Sequence, residues 1–564
     1  MTSKTEISNG MSLVRGLPLS EETGLGALTL GGFIKEVTQR FGPREAACLT
    51  VGDNVERWTY DDLWQRSEAV ARALIACGVG KGTRVGILMT NRLEFLSALF
   101  GTALAGGVAT TLSTFSTPAE LEVLVQASSC SVLLLERHVL KKDFVAMLGE
   151  LEPQISSSAP GAMASLKFPF LRYLAMVDGA EDIGAVENWC NFLARGTDVS
   201  PALVEATAAS VVPSDPGVLF FSSGSTGKPK GILSAHRGVC LQMWRWPKWM
   251  KFRDGEAVRY WSANGFFWSG NFAMAVGGGL AAGGCLVLQR YFQPEEALEL
   301  MEKEKVTCLF AWPHQWAQLV GAKNWLDVDL SSLHYIDAKS PIAAHPTVNT
   351  TWREAAAAYG NTETFTLSSV FPANTPEEVV GGSHGVPTHG TTFKIVDPLS
   401  GATMPLGERG EIAVKGPTLM LGYLGVPLDE SLDDEGFFRT GDGGYFDDQG
   451  RLHWEGRLND IIKTGGANVS PIEIDEVIRK YPGVKVAQTV GVPDELLGEL
   501  VVTCIVRHEG ATVEEDAVRN FAKEQLASYK VPRRVIFFTE DELELTGSSK
   551  IKVADLRELV KKRI

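Results

Sequence analysis

The chain has 564 residues, with 53 Lys plus Arg against 68 Asp plus Glu and a formal charge of −15. Apolar residues make up 45% and charged residues 21%, the composition of a folded globular protein, which excludes a disordered chain, a fibrous repeat and a small disulfide scaffold. The acidic balance argues against a nucleic-acid partner, which needs a basic stripe, but leaves room for a small anion in one locally basic cleft.

Residues 1–26 mix Lys4, Glu6, Arg15, Glu21 and Glu22 with polar residues and hold no apolar signal-peptide segment. Thr59 with Asp62 makes a capping-box-like helix start; Leu63, Val70 and Leu74 share one helical face, and Gly78 supplies the stop. Residues 85–89 are a short apolar run suited to a buried strand, and a second helix follows with Leu93, Leu96, Leu99 and Phe100 on its apolar side. The longest apolar stretch, near 97–108, is too short to span a bilayer, so no integral membrane segment is expected. Residues 154–165 read as a loop, and 218–221 as a buried strand entering a Gly/Ser-rich loop. This alternation implies an α/β fold with a mostly parallel sheet sandwiched by helices.

The texture changes after Gly382. Residues 393–414 show period-two stretches with turns at Asp397-Pro398 and Ser400-Gly401, the mark of a small β subdomain. After Gly456-Arg457 comes an α+β unit with helices near 471–480 and 513–526 and strands near 484–490 and 501–506. The length exceeds what one core supports, and the expected division is 1–456 and 457–564. Eight cysteines lack metal-ligand spacing and read as buried thiols in a reducing, cytoplasmic setting. The nine histidines likewise show no metal spacing and are assigned to structure.

The stretch Phe221-Ser222-Ser223-Gly224-Ser225-Thr226-Gly227-Lys228-Pro229-Lys230-Gly231 holds three glycines, four hydroxyls and two lysines. Glycines let backbone N–H groups approach an anion, and hydroxyls and lysines add donors and charge, so a polyphosphate is the natural guest. It is not a Walker loop, because Pro229 follows Lys228 and Ser222 stands where the first Gly would be. Composition alone leaves a surface linker open.

The order of these residues resembles the phosphate-binding loop of the adenylate-forming superfamily of acyl-CoA synthetases, luciferases and peptide-synthetase adenylation domains. Trp58-Thr59-Tyr60 with Leu63, Gly78-Val79, Gly82 and Asn91 look like its N-terminal stretch. Tyr359-Gly360-Asn361-Thr362-Glu363, Arg439-Thr440-Gly441-Asp442 and Gly456-Arg457-Leu458-Asn459-Asp460-Ile461-Ile462-Lys463 resemble later motifs in the family's order. So do Tyr529-Lys530-Val531-Pro532 and Thr546-Gly547-Ser548-Ser549-Lys550-Ile551. The resemblance spans about residues 57–560. It implies a large N-terminal domain and a small mobile C-terminal lid.

The activity so implied is ATP-dependent ligation of a carboxylic acid to coenzyme A. The carboxylate attacks the α-phosphorus of ATP, and a thiol then displaces AMP. The first nucleophile needs no base, since an acid with a pKa of about 4–5 is already ionised at neutral pH. By resemblance, Lys550 bridges carboxylate and phosphates, Glu363 holds Mg²⁺, Thr362 donates to phosphate, and Tyr359 stacks on adenine. Gly360 and Asn361 belong to the same nucleotide-binding motif. Asp442 accepts from the ribose, Arg457 contacts ribose or phosphate, and Asn459 is the hinge. The family's hinge swings Lys550 out of the site and brings the Gly465-Gly466 region in. Ser549 and Asn459 depart from the commoner residues at their positions.

Asn264-Gly265-Phe266-Phe267-Trp268-Ser269-Gly270-Asn271 resembles the acyl-pocket border, with Phe267 and Trp268 as candidates; core packing explains them equally. It lacks the Asp that amino-acid adenylation domains usually place there. Lys339, in Asp337-Ala338-Lys339-Ser340-Pro341, either meets a polar group on the acid or snorkels to solvent. An amine or carrier-protein thiol as acceptor, oxygen as in luciferases, and a catalytically impaired nucleotide-binding relative remain alternatives. A homodimer is left open.

Overall fold

The computed structural model describes residues 5–8, 10–52, 54–223, 229–253, 255–354, 358–458, 462–469, 471–539, 542 and 553–564. Its centre is an eight-stranded sheet. In chain order its elements are β1 (Arg84–Leu88), β2 (Val108–Thr111), the neighbouring helix α1 (Pro118–Ser128), β3 (Val132–Leu135), β4 (Tyr173–Met176) and β5 (Val186–Asn188). Then come β6 (Pro216–Ser223), β7 (Pro229–Ala235), helix α2 (His236–Trp249) and β8 (Gly422–Tyr423). The strand order is β5-β4-β3-β1-β2-β6-β7-β8, parallel up to β6 and antiparallel at β7 and β8. Val218, Leu219 and Phe220 are fully buried, as expected of a strand covered on both faces.

A second, five-stranded sheet runs Cys308–Phe310, Arg259–Ser262, Cys285–Leu288, Glu45–Val51 and Asn54–Thr59, antiparallel only at its last pair. Helices fill the space between the sheets. The Thr59–Asp62 capping box forms, with Asp62 N–H donating to Thr59 Oγ1 at 3.1 Å and Thr59 N–H to Asp62 Oδ2 at 2.9 Å; the Tyr60–Ala76 helix follows. The Leu93–Leu104 helix is buried throughout rather than on one side, which explains its near-unbroken apolar sequence.

Thr392–Val396 and Gly410–Lys415 form the expected hairpin within a six-stranded antiparallel sheet. Glu6–Ile7 and Leu13–Arg15 complete that sheet from the N-terminus. The C-terminal unit packs the Pro471–Ile478 helix and helix α3 (Glu515–Gln525) on a sheet centred on Val484–Asp494 and Gly498–Arg507. Two details differ from the sequence reading. Gln154–Ser157 is a four-residue helix, too short for periodicity to reveal. Cys190 is exposed and Cys77 half-buried, the former beside the start of a surface helix; the other six thiols are buried. Among the described residues no helix is long and apolar enough to cross a membrane.

His236 begins α2 in a fully buried position, and its Nδ1 accepts from Leu30 N–H at 3.2 Å. Protonating Nδ1 breaks that bond, and burial holds the imidazole down at about 4 from its ordinary 6.5. A lowered folded pKa gives stability that is complete above the ordinary value and lost as pH falls toward 4. Urea titrations of the parent and His236→Asn at about pH 7.5 and about pH 4.5 should show the parent losing about 2.5 kcal/mol more unfolding free energy than the variant. Equal losses would remove His236 as the titrating group.

Candidate functional site

Three core phenylalanines join the candidate segments. Phe220 of β6 lies 5.6 Å from Phe272 and 5.8 Å from Phe365, and Phe272 lies 6.2 Å from Phe365. Each belongs to a segment that sequence motifs single out. Phe220 precedes the Gly/Ser-rich loop, Phe272 follows the 264–271 aromatic stretch, and Phe365 follows Thr362-Glu363.

Strands β6 and β7 flank that loop and pair Ser222 with Lys230 and Ser223 with Pro229. Gly224, Ser225, Thr226, Gly227 and Lys228 lie outside the described residues, as do Asn459 and Lys550. Of Ser223 and Arg457 only the backbone is described. Ser222 lines a cavity of about 60 Å³ together with Thr111, Phe221, Phe267, Trp268 and Tyr529. Two candidate segments far apart in sequence, the strand before the loop and the aromatic stretch, thus share one wall.

Phe267 is buried against Phe115 at 5.5 Å, and Trp268 lies between Phe267, tilted at 5.6 Å, and Tyr529 of the C-terminal unit, edge-on at 5.8 Å. The chain after it coils as Ser269–Asn271 and then a six-residue π-helical stretch, Phe272–Gly277. Such wide turns recur at functional sites. Here it lets Gly277 and Gly278 press against Met243 and Trp246 of α2, where a Cβ would overlap both side chains.

Tyr359 and Gly360 lie on the Ala358–Asn361 strand, paired antiparallel with Thr366–Val370. A Cβ at Gly360 would overlap the Thr366 carbonyl, so this position admits only glycine. Asn361 ties the intervening turn, accepting from Thr364 N–H at 2.9 Å on its Oδ1. Phe365 and Thr366 hold positive φ of 46° and 78°, uncommon for such side chains and a sign of strain at the turn. Thr362 and Glu363 occupy this turn. Thr362 Oγ1 lies 3.4 Å from Ser269 Oγ, which joins it to the aromatic segment. Tyr423 of β8 donates to Glu363 Oε1 at 2.8 Å, and Lys230 Nζ lies 4.8 Å from the Tyr423 ring. The sequence reading missed Tyr423, for which no local pattern exists.

Tyr359 is buried, and its hydroxyl donates to Asp442 Oδ2 at 2.7 Å. Asp442 sits on Phe438–Phe446 with its register partner Arg457 directly across the ladder on Leu452–Arg457. Tyr359, Asp442 and Arg457 therefore meet in space, although Tyr359 and Asp442 stand 83 positions apart. Leu458 N–H closes onto the Gly441 carbonyl at 2.7 Å and anchors the chain before the hinge motif.

Beyond it, Gly466 packs against Trp312, so that a Cβ there would overlap the indole. Lys339 lies apart: it is 65% exposed, paired with Glu377, and does not line the cavity. Glu363 is a half-buried carboxylate beside the strand pair that flanks the Gly/Ser-rich loop. One or two carboxylates plus phosphate oxygens are what Mg²⁺ ordinarily takes, so the donor set fits that ion.

A family model described as AMP-binding enzyme matches residues 34–424, and one described as AMP-binding enzyme C-terminal domain matches 473–550. The feruloyl-CoA synthase of Amycolatopsis sp is 31% identical over 506 residues, covering 88% of this chain and 93% of that protein. An o-succinylbenzoate CoA synthetase structure from Bacillus subtilis matches with a TM-score of 0.71 at 23% identity, covering 93% of this chain and 98% of its own. The amide bond synthetase McbA from Marinactinospora thermotolerans matches at 0.70 and 24%, with coverages of 93% and 99%. At these identities the two structures speak for the fold alone.

Tyr359→Phe removes one donor from a buried carboxylate while keeping the ring. It should lower unfolding free energy by about 1–2 kcal/mol in denaturant titration. A change within error would mean that the Tyr359–Asp442 bond contributes nothing to holding the two sheets together.

Proposed function

This chain belongs to the AMP-binding enzyme family, and from that premise we propose that it is an ATP-dependent carboxylic acid–CoA ligase. Acid adenylation is the chemistry common to the family. The observation that carries the reading is the shared cavity. The strand entering the Gly/Ser-rich loop and the aromatic acyl-pocket candidates Phe267 and Trp268 line one space, and Ser269 links that segment to Thr362. Phosphates and acid thereby have adjoining seats.

In the first step a carboxylate oxygen of the acid bonds to the α-phosphorus and the bond to the β-phosphate bridging oxygen breaks, releasing pyrophosphate. In the second, the coenzyme A sulfur bonds to the acyl carbon, AMP leaves with the electron pair of the acyl–oxygen bond, and the thiol proton passes to solvent. The protein's task is to hold two anions together and to place donors where charge develops. Ser222 with the 223–228 loop residues receives the phosphates, and Thr362 donates to them. Asp442 accepts from the ribose hydroxyls, with Arg457 opposite it on the ladder, and Tyr359 forms the adenine wall. When bound at Glu363, Mg²⁺ neutralises phosphate charge.

Lys550 is assigned the bridge between carboxylate and phosphates, a task for a compact point charge. We place the domain boundary at 456/457 and the hinge at Asn459. The packing of Gly466 on Trp312 supports reading this arrangement as the acyl-transfer state of that hinge. The feruloyl-CoA synthase relative and the apolar lining by Phe267 and Trp268 favour an apolar or aromatic acid. Eight unpaired thiols favour a reducing compartment, in keeping with the cytoplasm.

ATP–pyrophosphate exchange across aliphatic, aromatic and dicarboxylic acids should find at least one acid that drives exchange, and that acid with CoA should give a thioester and AMP. No exchange with any acid defeats the reading; exchange without thioester, but with product from an amine, moves it to amide synthesis. Lys550→Ala should lower exchange at least about 100-fold while lowering transfer from pre-formed adenylate far less. Equal losses in both steps would remove Lys550 from the assigned role.

A further inference from the structure

Helix α1 begins with Thr117-Pro118-Ala119-Glu120, a capping box in which one carboxylate does two jobs. Glu120 Oε2 accepts from Thr117 N–H at 3.0 Å and Thr117 Oγ1 at 3.2 Å, which fixes the carboxylate on the helix end. Glu120 Oε1 then faces the C-terminal unit, accepting from Ala527 N–H at 3.0 Å and from Lys530 Nζ at 3.1 Å. Thr117 Oγ1 also lies 3.2 Å from the carbonyl of Gln525, the last residue of α3. That carbonyl is one of the four a helix leaves without an intrahelical partner. The positive end of α1 thus meets the negative end of α3, an arrangement that helix dipoles favour.

Lys530 is the pivot. Its ammonium is buried, bonded also to Glu473 Oε1 at 2.8 Å, and Glu473 belongs to the C-terminal unit itself. Burial alone would lower its pKa, but Tyr529, Glu473 and Glu120 hold it above the ordinary value. The preceding residue, Tyr529, is the ring that meets Trp268 edge-on. Clamping Lys530 therefore fixes the aromatic that closes the cavity beside Phe267 and Trp268.

The choice of an ion pair here has a physical consequence. Burying charges forfeits hydration, so their mutual attraction is largely offset and the contact is strict in geometry but low in net energy. When the unit swings away, Glu120 and the Lys530–Glu473 pair regain water. A comparable apolar face would resist separation. The contact suits a surface that must dock in one register and let go in every catalytic cycle.

We propose that Glu120, acting through Lys530, is a positioning residue for the acyl-transfer step, latching the C-terminal unit to helix α1 in the docked arrangement. This rests on the two-step reading above. Glu120→Gln keeps an acceptor for the cap but removes the charge, Lys530→Met removes the ammonium, and Lys530→Arg restores a cation. With an acid that supports exchange, single-turnover transfer from pre-formed adenylate to CoA should fall about tenfold more than exchange in Glu120→Gln and Lys530→Met. Lys530→Arg should recover most of that loss. Hydrogen exchange at the Ala527 amide should quicken in Glu120→Gln. Equal losses in the two half-reactions, or unchanged Ala527 protection, would overturn the latch. Absence of exchange in the unsubstituted chain would overturn the two-step reading and the latch with it, a result distinguishable because the parent itself fails.

Discussion

Phe220, Phe272 and Phe365 meet in the core, each arriving from a different candidate segment. A buried aromatic contributes both area and preferred ring geometry, so a trio fixes relative position as well as proximity. What it fixes here are the strand entering the anion loop, the π-helical acyl segment and the strained turn carrying Thr362 and Glu363. The positive φ of Phe365 makes physical sense in this setting. The turn departs from relaxed backbone geometry so that its ring reaches the trio and its preceding carboxylate faces β8. The packing around Phe365 offsets that strain.

The second constraint is how the small sheets are tied to each other. Tyr359 leaves its strand to donate to Asp442 on a different sheet, and the ladder sets Arg457 opposite Asp442. The chain then passes Leu458, held by the Gly441 carbonyl, into the hinge motif. The assigned nucleotide contacts and the last anchored residue before the proposed hinge thus share a few strand residues. Under that proposal, a nucleotide held there would sit at the pivot rather than on either moving body. Rotation of the C-terminal unit would then change what faces the acyl group without displacing the nucleotide.

Local patterns were legible where their cause is local. The Thr59–Asp62 box, the 218–221 strand (buried except for half-buried Phe221) and the 393–414 hairpin depend on neighbours in sequence, and each formed. The candidate site was legible through motif order, which named Tyr359, Asp442, Phe267 and Trp268 but could not state that Tyr359 bonds Asp442 or that Trp268 meets Tyr529. Those pairings are products of topology. Tyr423 was invisible for the same reason: its role follows from β8 lying beside β7, not from any pattern around it. Glu120 shows the boundary clearly. Its cap could be read from Thr-x-x-Glu spacing, whereas its second oxygen's partner lies 410 positions away. Lys339, distinctive in sequence, faces solvent with Glu377 because the segment around it runs along the surface.

The lining of the shared cavity bears on the proposed alternation. Phe221, Phe267 and Trp268 line it from one side, and Ala527, Tyr529 and Lys530 of the C-terminal unit from the other. Under the two-step reading, a lysine and an incoming thiol arm act in the same acyl carbon region in successive steps, one to relieve repulsion between anions and the other to attack. On this view Trp268 and Tyr529 are more than acyl-pocket lining: their contact closes the cavity only when the C-terminal unit is seated, coupling exclusion of water to the docking that delivers the second reactant.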